Sequence, residues 1–499
     1  MTTAVADPLI ARNPSTGAEL ARVAGTPPER VSQCVDRAAI AQRCWADRPW
    51  SGRREGLRRW HRELGRRAEE LAEAVCAEIG KPAGEAMAAE VIPSLDALRW
   101  TIRSAARVLR DRTESPRWQR WLLMPPARIE RRPLGVVGVI GAWNYPILLN
   151  APVIAHAIAA GNAVVWKPSE LSSRCGALLQ ETIDAAGLPE GLVSIVQGGS
   201  EVGSALVHAN VAKLIFTGGL HNGRRVLEAL GARGTPAVVE LSGFDAAVVL
   251  PDAPDDRTMA ALRWSAFLGA GQACMSVKRV FLVDRPAEAW AEAFARQAEA
   301  IRIGDPKRPD VDLGPLISDR ARDDVHDRVR AAVAAGARLL AGGEPVDGPG
   351  SFYRPTVLLA DRDQEGPERA LEGIFGPVVI VREVADDRSA AEAVNASRFG
   401  LSASVWGRDR RRARALADRL DVGVVGVNEA TTFFALASAP AGGVKASGFG
   451  RVHGAEGLVE MTAPRTVVSR SIKAPRPQVF PYSNRLGRVL RVYRRLVHR

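Results

Sequence analysis

Pro133-Leu-Gly-Val-Val-Gly-Val-Ile-Gly-Ala-Trp-Asn-Tyr-Pro146 is the stretch from which the fold can be read. Residues 136–140 form a short apolar run, and a helix-like stretch follows Pro146. The same unit then recurs. Residues 163–166 are the next apolar run, with a helix expected after Ser172. Residues 192–196 precede a helix at 201–207, residues 214–216 precede one at 222–231, and residues 238–240 make a fifth run. Strands alternating with helices every 20–30 residues predict a parallel, doubly wound α/β sheet. Such sheets bind ligands at the carboxyl ends of their strands.

Working outward, residues 244–445 repeat the rhythm. Runs at 248–250, 280–283, 378–381 and 403–406 read as strands, with helices at 287–301, 318–335, 389–395 and 409–420. Upstream, Val31, Val35, Ala38 and Ala39, then Leu57, Trp60, Leu64, Leu71 and Val75, recur at helical spacing across 28–110. Gly80-Lys81-Pro82 breaks that run. Residues 111–133, with Pro116, Trp118, Trp121, Pro125, Pro126 and Pro133, read as a hairpin arm leaving the domain.

With 499 residues the chain suits two or three domains. No run of eighteen apolar residues exists, and the first twelve residues lack a signal-peptide pattern. Five scattered cysteines without a CxxC pair suit a reducing cytoplasm. Seven histidines form no cluster, so no metal site is expected. The formal charge is +12, but residues 470–499 hold nine Arg/Lys and no acid, leaving the body near neutral. A nucleic-acid partner is therefore not expected.

Four places carry candidate chemistry. Gly271-Gln272-Ala273-Cys274 presents one thiol after an apolar lead-in of Phe267, Leu268, Gly269 and Ala270, and Glu240 closes a separate apolar run. A thiolate attacks carbonyls, and a carboxylate beside it can take its proton or activate water. The plainer reading of a lone Cys in an apolar run is a buried structural residue. Asn144, at the end of the first strand, can donate to an oxyanion or simply form a turn. Trp166-Lys167-Pro168-Ser169-Glu170 suits ribose hydroxyls or is a solvated turn. Phe216-Thr217-Gly218-Gly219 opens a helix where backbone N–H groups could meet a pyrophosphate, although no GxGxxG is present.

Taken in order with Glu240-Leu-Ser-Gly243, Ile374-Phe-Gly-Pro377 and Gly442-Gly-Val-Lys-Ala-Ser-Gly-Phe-Gly450, these motifs resemble the aldehyde dehydrogenase superfamily over about residues 10–470. The resemblance implies an NAD(P)+-dependent oxidation of an aldehyde to a carboxylic acid through a cysteine thioester. Cys274 would be the nucleophile, Glu240 the general base, and Asn144 with the Cys274 N–H the oxyanion hole. Lys167, Ser169, Glu170, Gly218, Gly219, Leu241 and Phe375 would touch the cofactor. Trp143 and Phe267 would face the aldehyde tunnel, and Trp143 is also counted among the cofactor contacts. Residues 1–110 and 134–243 would form the cofactor domain and 244–445 the catalytic domain. Residues 111–133 with 446–470 would be an oligomerisation arm, implying a homodimer or homotetramer. Glu170 argues for NAD, with NADP as the alternative.

The sequence departs from the family pattern in places. Gly373 stands where the family carries Glu, with Glu372 one residue earlier. Phe244-Asp245, Leu220-His221-Asn222 and Ser276 are also unusual. Two other readings therefore stay open: a coenzyme A-acylating enzyme, and a weakly catalytic member kept for binding or assembly. The mostly apolar 431–436 stretch leans toward a hydrophobic aldehyde. Residues 471–499 read as a basic amphipathic tail, with Leu486, Val489, Leu490, Tyr493, Leu496 and Val497 on one face among Arg485, Arg488, Arg491, Arg494, Arg495 and Arg499. Lipid, an acidic partner, or the protein's own body could cover that face. The location expected is cytoplasmic, with a peripheral place at the inner membrane surface as the variant the tail suggests.

Overall fold

A computed structural model describes residues 7–115, 125–474 and 484–497. Two sheets dominate. The first has six strands in the order 448–449, 237–240, 213–217, 136–140, 163–167, 193–195. All its pairs are parallel except that of Gly448–Phe449 with Ala237–Glu240. The chain starts in the middle at Val136–Ile140, runs out to 193–195, then returns to the other side at Lys213–Thr217. That reversal opens a crevice beyond the carboxyl ends of 136–140 and 213–217, the place where doubly wound sheets bind ligands. Ala163–Lys167 is buried throughout, as a strand covered by helices on both faces must be. Trp45 and Trp60 fix the covering helices Arg30–Ala46 and Trp50–Arg66: each is fully buried, and their indole N–H groups reach the Ile158 carbonyl and Thr182 Oγ1.

The second sheet has seven strands, ordered 338–341, 356–360, 378–384, 277–283, 245–249, 402–406, 424–427. The four strands expected from sequence form its centre. Arg338–Ala341, Thr356–Ala360 and Val424–Val427 extend it beyond that expectation. Only residues 241–244 separate the last long strand of the first sheet from the first strand of the second. Gly243 lies in this link, where a Cβ would stand 2.4 Å from the Cys274 carbonyl oxygen. A side chain there would separate the two sheets.

The 111–133 segment does form a hairpin. Arg112–Glu114 and Thr462–Val468 both pair antiparallel with Ala127–Pro133. Pro116, Trp118 and Trp121 lie outside the described residues. The expected start of the arm at 446 needs moving, because Gly448–Phe449 joins the first sheet and Gly454–Val459 packs on that body. The strand that pairs with Ala127–Pro133 begins at Thr462. The tail is a helix, Asn484–Val497, as its spacing predicts. The Val497 side chain and Arg499 lie outside the described residues. Among the described residues no helix is long and apolar enough to cross a membrane.

Candidate active site

Cys274 stands three residues before the strand Val277–Val283, and Glu240 ends the strand Ala237–Glu240. The amino end of one sheet thus faces the carboxyl end of the other. Cys274 Sγ donates to Glu240 Oε1 at 3.3 Å. The other carboxylate oxygen, Oε2, is buried with no hydrogen-bond partner. Burial pushes the Glu240 carboxyl up to about 7, against the lowering effect of the thiol hydrogen bond. Burial also pushes the Cys274 thiol up, and the charge of Glu240 pushes the same way. The sulfur therefore rests protonated, and it can act as a nucleophile only as its proton moves to Glu240.

The loop before Cys274 is bent to an unusual degree. Gly269, Ala270 and Gly271 have φ of 59°, 55° and 68°. Three left-handed residues in a row, one of them Ala, must be held in place by their surroundings. At Gly271 a Cβ would come 2.1 Å from the Gly376 carbonyl oxygen. The holding bonds are numerous. Glu85 Oε2 accepts from the Gly269 N–H at 3.1 Å. Lys278 Nζ donates to the Gly271 and Gly376 carbonyls, both at 2.7 Å. Gln272 donates to Gly269 O and accepts from the Ile317 N–H. Asn144 Nδ2 donates to Gln272 O at 2.9 Å, and Thr431 Oγ1 to Met275 O at 3.0 Å.

Two cavities meet at Cys274. The larger, of about 1000 Å³, is walled by Leu148, Leu149, Phe267, Leu268, Met275 and Phe434, with Thr431, Thr432 and Ala435 from the expected tunnel stretch. Phe433 packs into the core instead, and Leu436 is exposed. The smaller, of about 700 Å³, is lined by Trp143, Asn144, Lys167, Ser169, Glu170, Gly218, Gly219, Leu241, Gly373 and Phe375. It follows the crevice of the first sheet. Every expected cofactor contact therefore borders one cleft. Phe267 faces the larger cavity as expected. Trp143 does not: it stands edge-on to Phe375, with centroids 5.6 Å apart, on the wall of the smaller cleft. The turn after Ile140 directs it there, with Gly141 N–H bonded across to the Lys167 carbonyl.

The smaller cleft fits a dinucleotide. Lys167 Nζ, at a strand end, bonds the Pro168 carbonyl and Glu170 Oε2 at 3.0 and 3.3 Å, so a cation and a carboxylate sit side by side for ribose hydroxyls. Gly219 caps the helix Leu220–Arg233, and a Cβ there would meet nothing within 4 Å. That open helix N-terminus suits a pyrophosphate.

The model of the aldehyde dehydrogenase family matches residues 3–467. The chain belongs to that family. A 4,4′-diapolycopene aldehyde oxidase from Methylomonas is 34% identical over 480 residues, covering 95% of this chain and 88% of the relative. A betaine aldehyde dehydrogenase from Cereibacter sphaeroides is 35% identical, covering 91% and 92%. The crystal structure of a Mycobacterium tuberculosis aldehyde dehydrogenase complexed with NAD+ superposes with a TM-score of 0.89 at 28% identity, covering 95% and 97%.

Within this family frame three of the departures can be placed in the structure. Gly373 borders the cofactor cleft with φ +81°, while Glu372 is turned away to pair with Arg398 at 3.2 Å. Glu372 therefore does not take over the missing carboxylate. Asp245 accepts from the backbone N–H and hydroxyl of Ser402, binding two adjacent strands. Ser276 Oγ donates to Ala266 O and fastens the nucleophile loop to its preceding helix. Sequence reasoning missed Glu85 and Lys278. Lys278 had a visible signal, a Lys-Arg pair inside the otherwise apolar, fully buried Val277–Val283 strand. Glu85 had none.

Proposed function

We propose that this NAD(P)+-dependent aldehyde dehydrogenase works through a thioester on Cys274, with Glu240 as general base and Asn144 as oxyanion donor. The observation that carries the reading is the Cys274–Glu240 hydrogen bond at the meeting point of the two cavities. The aldehyde enters from the larger cavity. Glu240 takes the thiol proton as sulfur attacks the carbonyl carbon. Asn144 Nδ2 turns from the Gln272 carbonyl toward the oxygen that gains charge. A nicotinamide held beside Trp143, Leu241 and Phe375 in the smaller cleft would supply the hydride acceptor for the carbon bonded to Cys274. The protein is left with an acyl group on Cys274. Glu240 gives up the thiol proton to solvent and then, through the oxygen that lacks a partner, takes a proton from water; the hydroxide adds to the acyl carbon, the C–S bond breaks, and the carboxylic acid leaves as Cys274 is restored.

Lys167, Ser169 and Glu170 would hold the adenosine ribose, Gly218 and Gly219 the pyrophosphate, and Leu241, Trp143 and Phe375 the nicotinamide end. Glu170 favours NAD, because a carboxylate at the ribose 2′-OH repels a 2′-phosphate. The smaller cleft and first sheet would be the cofactor domain, and the second sheet the catalytic domain. The size and apolar walls of the larger cavity support a hydrophobic aldehyde. The exposed outer strand Thr462–Val468, with Val467 and Val468 open to solvent, supports a subunit contact through the arm. The retained base with its unpartnered oxygen speaks for water over coenzyme A as acyl acceptor. NADH formation with a panel of short, charged and long apolar aldehydes, with and without coenzyme A, tests the reading. Turnover requiring coenzyme A would replace it with the acylating one, and preference for short charged aldehydes would remove the hydrophobic substrate.

A further inference from the structure

We propose that the helix Asn484–Val497 is a landing site for an anionic lipid surface. Fourteen residues span about 21 Å along the helix axis. That is too short and too charged to cross a bilayer, so the helix would lie flat. Leu486, Val489, Leu490, Tyr493 and Leu496 fall on one stripe. Val489, Leu490 and Leu496 are 50%, 43% and 71% exposed, so the protein's own body leaves these three open, while Leu486 and Tyr493 are half-buried. Arg485 and Arg494 flank the stripe, where their stems can lie along apolar surface while the guanidinium groups reach upward. Arg488, Arg491 and Arg495 occupy the opposite face. None of these five arginines has an ion pair among the described residues.

Charge selects the occupant. Residues 470–499 carry nine Arg/Lys and no Asp or Glu, and the rest of the chain is slightly basic. A second copy therefore offers no acidic surplus and brings the same cationic tail. Nucleic acid would satisfy the arginines but leave the apolar stripe in water. An anionic bilayer supplies headgroup charge and acyl chains together. A hydrophobic aldehyde would partition into the same bilayer, so the anchor would raise its concentration near the enzyme. That consequence rests on the substrate reading above; the lipid contact itself does not.

The test is co-sedimentation of the full chain with vesicles of phosphatidylcholine alone and of phosphatidylcholine mixed with phosphatidylglycerol, at low and high salt. Binding to the mixed vesicles at low salt, weakened by salt, is expected. Each Arg→Gln change at Arg485 and Arg494, which flank the stripe, weakens it roughly fivefold, and changes at Arg488, Arg491 and Arg495 on the far face weaken it less. The V489D/L496D double variant weakens it at least about tenfold. NADH formation from a water-soluble aldehyde reports that each variant is folded, and is expected unchanged. Should V489D/L496D fail that control, the Arg→Gln series decides alone. Equal binding to both vesicle types, no binding at low salt, or insensitivity to the Arg→Gln series overturns the proposal. A fall in oligomeric mass with V489D/L496D also overturns it, by making the helix a subunit contact. Loss of all turnover in the unchanged chain would count against the enzymatic reading and leave the vesicle result standing.

Discussion

The nucleophile loop and the cofactor cleft stand side by side at Cys274, yet they are built on opposite plans. The loop is held by side chains from within or beside it and from distant parts of the chain. Glu85, Asn144, Gln272, Lys278 and Thr431 each fix one of its backbone groups. The cleft is made of local turns at strand ends, with Ser169 capping its own short helix and Gly219 leaving space. A reacting sulfur must be placed to a fraction of an ångström, which requires converging constraints. A large dinucleotide spreads its binding over many weak contacts, so any one can change. The departures from the family pattern follow this division. Those around the loop are buried and bonded, whereas Gly373 in the cleft is simply a missing contact.

The comparison breaks most directly at the sulfur. Cys274→Ala is expected to lower NADH formation by at least about a thousandfold while leaving NAD+ binding and the melting temperature near those of the parent. Turnover within tenfold of the parent, measured on purified protein, would remove the covalent mechanism.

Glu240→Gln is next in size. Loss of the base should lower turnover by roughly a hundred- to ten-thousandfold. In the parent, turnover should fall as pH drops through about 7, because the base is then protonated. The stability effect has the opposite sign. A carboxyl raised in the fold binds its proton more tightly there than in the unfolded chain, so folding loses stability as pH rises from about 4.5 to about 7. Gln removes that cost. The variant should gain on the order of 2–3 kcal/mol at pH 8 and little at pH 4.5. Urea unfolding at the two pH values checks it; an equal gain at both would mean that the carboxylate is not under desolvation strain.

Much of this division was legible in the sequence, and what was not has a physical cause. The central strands are buried on both faces, so they read as plain apolar runs. Arg338–Ala341 escaped because it is a four-residue antiparallel edge strand whose apolar run, Leu339 to Ala341, is too short to mark a strand. Cys274, Glu240 and the cleft residues, which the structure brings together around two cavities, were picked out by motifs whose order is specific. Glu85 could not be found that way. Its contact to Gly269 spans 184 residues, and nothing in the local sequence distinguishes it from a surface acid. Gly373 was legible as a departure, but the orientation of Glu372 depends on Arg398, which only the fold brings near.

Lys278→Met sharpens the contrast from the loop side. Lys278 touches neither cavity but ties the Gly271 and Gly376 carbonyls together, so it acts as a positioning residue. Its loss leaves two buried carbonyls short of a donor, worth roughly 1–3 kcal/mol each. Turnover should fall about ten- to a hundredfold, with the KM for NAD+ moving less. The fall of activity below about pH 7 should persist, since that limb belongs to Glu240. A KM effect larger than the kcat effect would place Lys278 in the service of the cleft instead.

Gly373→Glu is the smallest expected effect and the sharpest test of the cleft. A carboxylate here could restore a hydrogen bond to the nicotinamide end, with a net gain of order 1–3 kcal/mol. Space is available, since an added Cβ would meet only the Phe399 ring at 3.8 Å. The backbone opposes the change, because Gly373 has φ +81° and a side chain in that region costs about 1–2 kcal/mol. The first term acts on cofactor binding and the second on folding. The apparent KM for NAD+ should therefore fall by roughly fivefold, the lower end of that gain, with a lower melting temperature. Gly373→Ala separates the terms, because it carries the backbone cost without the carboxylate. If Glu binds NAD+ no better than Ala at equal stability, the cleft gains nothing from a contact at this position. The cofactor would then be held by the ribose and pyrophosphate ends alone, which is the looser arrangement that the contrast with the loop implies.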